Sequence, residues 1–72
     1  MQSLNLEKNI IEENFSKSNY RQVEKDINAI IANGLENSWL FNILAITYAK
    51  QKKFNLAEKF FLKALNLEPE NF

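Results

Sequence analysis

The 72-residue chain contains no cysteine and no histidine. A domain of this length buries only about 60% of the surface its unfolded chain exposes, so small domains usually add disulfides, a structural metal or association. The first two need the side chains that are missing. Stacking of units or self-association is what remains.

The same absences bear on chemistry. Nucleophilic and acid–base catalysis need a reactive group held beside an orienting partner. With one aspartate and one glycine as well, the chain offers no triad, no metal-ligand cluster and no glycine-rich phosphate loop. The expectation is a protein that is not an enzyme, with no cofactor and no metal site. The carboxylates that do gather, Glu7, Glu12 and Glu13, read as a solvated helix face.

An excess of one charge is also lacking. Nine basic and nine acidic side chains cancel and are interspersed, so no long-range field draws nucleic acid or an anionic membrane. The densest basic group, Lys50, Lys52 and Lys53, suits the C-terminal end of a helix, where positive charge offsets the macrodipole. No apolar run approaches the roughly 20 residues that span a bilayer, and residues 1–6 lack the basic start and apolar core of a signal peptide. A soluble, cytoplasmic protein is expected, and the lack of cysteine is compatible with a reducing compartment.

What the chain does have is helical periodicity. Ile10, Ile11, Asn14 and Phe15 follow Leu4 and Leu6 in a pattern nearer to three or four residues than to two, among charged neighbours, which predicts a first helix over about 4–16. Ser16, Ser18 and Asn19 favour caps and turns and break it. Tyr20, Val23, Ile27, Ile30 and Ile31 form a second helix that stops at Asn33 and Gly34, where a left-handed C-terminal residue fits. Asn37 or Ser38 caps a third, apolar on nearly every side from Trp39 to Ala49 and therefore buried on several sides. A fourth runs from Phe54 to Leu67, and Pro69 ends it by restraining Glu68. Short connections make consecutive helices antiparallel.

Laying the sequence over itself so that Ile10 falls on Leu44 also puts Tyr20 on Phe54, Glu24 on Glu58, Lys25 on Lys59, Ile27 on Phe61 and Ile31 on Leu65. A single offset that matches all six pairs is the sign of an internal repeat, and its length is that of a helical-hairpin unit. The second copy, residues 38–71, resembles the tetratricopeptide repeat. Phe41 stands for its tryptophan, Leu44 for its leucine, Ala45 for its small residue and Tyr48 for its tyrosine. Ala57, Phe61, Ala64 and Pro69 match the second half of the motif. The first copy, residues 4–37, is divergent, with Glu7, Ile11, Asn14, Val23, Ile30 and Leu35 at signature positions. The resemblance implies an all-α fold of two antiparallel helix-turn-helix pairs, stacked as a short solenoid in one domain over 1–72. Small residues at Ala45 and Ala57 let the second pair approach closely, and Phe41, Tyr48 and Phe61 are expected to fill the space around them.

The resemblance also implies a function, a scaffold or adaptor that binds a protein, a peptide or another copy of itself. Groove positions of the family fall on Lys8, Asn9, Glu12 and Phe15 in one repeat and on Trp39, Asn42, Ile43, Ile46 and Lys50 in the other. The carboxylate clamp of some members is not expected, because only Lys8 matches it, while Glu12 would repel an anion and Ile43 cannot bind one. An apolar strip of Trp39, Ile43, Ile46 and Phe15, flanked by Lys8, Glu12, Asn42 and Lys50, suits an amphipathic helix or an extended apolar peptide, with core packing as the alternative use of the same residues. The outer flank of the last helix, with Leu56, Phe60, Leu67 and Phe72, is a candidate self-association surface for a homodimer or for further repeats in a longer chain. The alternative context is a non-catalytic N-terminal segment of a bacterial sulfotransferase or glycosyltransferase.

Overall fold

A computed structural model describes residues 4–67, with side chains from residue 6 onward. Within them the chain forms α1 (Leu4–Ser16), α2 (Tyr20–Ala32), α3 (Ser38–Lys50) and α4 (Phe54–Leu67), with no strand among the described residues. These are the expected helices at the expected bounds. Pro69 and Phe72 lie outside the described residues.

The turns inside the two helix pairs are the same turn. After α1, Ser18 takes φ 61° while its N–H donates to the Phe15 carbonyl at 3.0 Å, and the Asn19 N–H donates to the Asn14 carbonyl at 2.8 Å. After α3, Lys52 takes φ 65°, its N–H reaches the Ala49 carbonyl at 2.9 Å, and the Lys53 N–H reaches the Tyr48 carbonyl at 2.8 Å. This pair of bonds around a left-handed residue satisfies carbonyls that a helix end leaves unpaired. Every donor and acceptor in the second set lies as far along the chain from its counterpart in the first as Leu44 lies from Ile10. The period seen in the side chains is therefore also a property of the backbone.

The link between the pairs closes in the same way. Gly34, at φ 100°, donates to the Ile31 carbonyl, and Leu35 donates to that of Ile30. Leu35 and Ile30 both pack against the core, which supplies the apolar contact usual in this closure. Asn37 then caps α3, its side-chain oxygen accepting the Leu40 N–H at 2.8 Å.

Consecutive helices pack on one another in the order α1, α2, α3, α4, which makes a short stack of two helical hairpins. Its core gathers Ile11, Val23, Ile27, Leu40, Leu44, Tyr48 and Ala57. The α3–α4 pair is the tighter, with Ala45, Ala57 and Ala64 buried between its helices. At the equivalent positions α1 and α2 carry Ile11, Val23 and Ile30, whose bulk holds the backbones apart and leaves a sparser contact.

One aromatic differs from expectation. Phe60, not Phe61, fills the space beside α3, its ring centroid 5.8 Å from that of Phe41 and 5.7 Å from that of Tyr48. Ala57, Phe60 and Ala64 share the inward face of α4 by helical spacing, and Phe61 falls one position around, with Phe54 and Leu65. No helix among the described residues is long and apolar enough to cross a membrane.

Candidate partner-binding surfaces

One pair of the groove residues meets between α1 and α3. The Lys8 ammonium lies 4.8 Å from the centroid of the Trp39 ring, a cation–π contact worth about 0.5–1 kcal/mol at an exposed site. Around it Phe15, Asn42, Ile43 and Ile46 are half-buried, while Glu12 and Lys50 are exposed at the edges. Phe15, Trp39 and Ile43 lean on the core, and Phe15 also meets Tyr20 edge-to-face at 5.7 Å. The strip is therefore a ledge with its inner side in the core and its outer side accessible. Its residues serve packing and exposure together.

The apolar residues on the outer surface of α4 are more exposed than those of the strip. Leu56 and Leu67 are exposed as expected, whereas Phe60 turns inward to its two aromatic neighbours. On the opposite flank a stripe appears that the amino-acid pattern did not single out: Phe54, Phe61 and Leu65 are 64%, 41% and 40% exposed, with Leu62 exposed beside them. Their spacing of seven and then four residues puts the three on one face of the helix. A signal for them was in the sequence. Their counterparts one repeat earlier are Tyr20, Ile27 and Ile31, of which Ile27 is fully buried in the core and the other two are half-buried. The same apolar positions are covered in α2 and uncovered in α4.

A third feature lies between α1 and α2. Glu7, Ile10 and Ile11 face Asp26, Ala29, Ile30 and Asn33 across an open groove of about 310 Å³. Its origin is legible in the repeat, because the counterparts of Glu7 and Asp26 are Phe41 and Phe60, whose rings fill the equivalent space in the second pair. Two short carboxylates cannot do the same. Asp26 accepts a hydrogen bond from Gln22 at 2.8 Å.

Polar contacts join α2 to the far end of α3. The Gln51 amide donates to the Glu24 carboxylate at 3.1 Å, and the Lys53 ammonium lies 3.8 Å from the same oxygen. The basic group thus divides its roles, with Lys50 in the last turn of α3, Lys52 in the left-handed turn position and Lys53 paired to Glu24. Among the described residues no three histidine, cysteine, aspartate or glutamate side chains converge as metal ligands would. Compared with protein-family models, with curated proteins and with solved structures, the chain gives no match.

Proposed function

We propose that the chain is a protein-interaction module of tetratricopeptide type, a scaffold or adaptor that works by covering apolar helix faces its own fold leaves open. The carrying observation is the contrast between α2 and α4: positions occupied by Tyr20, Ile27 and Ile31 are sheltered, and the equivalent Phe54, Phe61 and Leu65 are not. Single exposed apolar residues are ordinary, but contiguous stripes on a small domain mark interaction surfaces. The recurrence of the turns at the repeat period and the buried alanines of the second pair support the tetratricopeptide reading.

The strip of Phe15, Trp39, Ile43 and Ile46 is the second surface of this reading. It suits one face of an amphipathic helix, with Lys8, Glu12, Asn42 and Lys50 available to its polar edges. Trp39 is the sole tryptophan, so its fluorescence reports on the strip directly. The test is selection from a displayed library of random peptides, followed by titration of a selected peptide while Trp39 emission is read. The expected result is binding that Ile43→Asp abolishes at the strip or that Phe61→Asp abolishes at the flank. Failure to select any peptide above an unrelated helical control, or binding that survives both substitutions, would sink the reading.

A further inference from the structure

The uncovered stripe on α4 has a matching surface at the opposite end of the same molecule. α3 packs on α2: its Leu40 and Leu44 are fully buried in one core with Val23 and Ile27 of α2, Thr47 on the same face is fully buried, and the stripe ends at Gln51, which bonds to Glu24. Their spacing of four, three and four residues sets them on one helix face. The counterparts one repeat earlier are Leu6, Ile10, Glu13 and Lys17 on α1. Leu6 is 60% exposed and Ile10 45% exposed.

The chain therefore carries both halves of a second α2–α3-type contact, one half at each end. We infer that copies of this protein associate head to tail, the α4 stripe of Phe54, Phe61 and Leu65 of one copy seating on the α1 stripe of Leu6 and Ile10 of the next. The inference rests on the interaction-module reading and names its partner. A second copy is favoured because a single chain holds both complementary surfaces, and the polar contact at the rim has a counterpart of the same kind. Where Glu24 accepts from Gln51 inside the molecule, Glu58 of one copy meets Lys17 of the next. Lys17 is exposed and engages the exposed Glu13 at 3.1 Å, an i,i+4 pair of small worth.

One position opposes the contact. Glu13 stands where α3 has the buried Thr47, whose hydroxyl satisfies itself by donating to the Ile43 carbonyl at 2.7 Å. Covering a carboxylate there costs free energy that a threonine does not. The association is thus weaker than the internal contact it copies and depends on concentration. Because the two surfaces differ, the contact is heterologous and does not close on itself as a two-fold dimer does.

Light scattering on the whole chain over a wide concentration range tests this. The mass-average molar mass should climb past that of a dimer. Phe61→Asp and Ile10→Asp, each at an exposed position and each checked for helicity by circular dichroism, should both be monomeric alone. Mixed in equal amounts they should form a dimer and stop, because one retains a working α1 end and the other a working α4 end. Leu6→Asp should replace Ile10→Asp if the latter loses helicity. Glu13→Thr should tighten association by about tenfold, in the range expected when a buried unpaired polar group is removed. A chain that stays monomeric at every concentration, or a dimer that survives both Leu6→Asp and Ile10→Asp, would overturn head-to-tail stacking. Peptide selection on the Trp39 strip is independent of this result, so failure of the stack and failure of the interaction module are separable.

Discussion

Among the described residues, three with positive φ hold the turns, and one of them is a glycine. Gly34 sits at φ 100° with open space around the place a Cβ would take, so a side chain there meets no clash. Its requirement is purely one of backbone conformation, and Gly34→Ala should cost about 1 kcal/mol, read as a fall in denaturant midpoint with an unchanged slope. Ser18 and Lys52 hold the same region without that freedom. Lys52→Gly should accordingly gain about 0.5–1 kcal/mol, since relief of left-handed strain exceeds the extra entropy glycine loses on folding. The need for a left-handed residue was readable at Gly34, where the residue type itself announces it. At Ser18 and Lys52 it was not, because a lysine in that conformation is chosen by the hydrogen bonds around it and leaves no mark in composition.

At the scale of elements, the helices were legible because apolar spacing, turn residues and the cap at Asn37 all agree on their bounds. Which residue of α4 points inward was less so. Phe60 and Phe61 are adjacent aromatics, and either satisfies an apolar pattern; the contacts with Phe41 and Tyr48 decide it, and those depend on how far α4 is rotated over α3. That rotation turns Ala57 and Ala64 inward, both buried, and small side chains there let the helices pack closely. Ala57→Trp should therefore destabilise the protein by about 1–3 kcal/mol through overpacking. Thermal unfolding monitored by circular dichroism measures it, and an unchanged midpoint would count against this pairing of α3 with α4. The open groove between α1 and α2 has the converse cause, as acidic residues occupy the places of the interlocking aromatics.

Across the whole molecule, two hairpins share a period but not a role. The second is tight and aromatic-filled, the first is looser, and α3 is the element both sides cover. Exposed faces at α1 and α4 were hard to foresee because a sequence shows that a residue is apolar without showing which neighbour reaches it; Phe54, Phe61 and Leu65 look as buriable as Tyr20, Ile27 and Ile31, yet only the latter are sheltered by the packing. Repeat units need neighbours to bury such faces, so stability and association should be linked in this protein. The most direct measurement is the thermal midpoint as a function of protein concentration. An association that binds only the folded state contributes about 2.7 kcal/mol at a hundredfold excess over Kd, a rise on the order of 10 °C for a domain of this size. Head-to-tail association predicts that rise for the natural chain and its loss in Phe61→Asp. A midpoint that is the same at every concentration would contradict it.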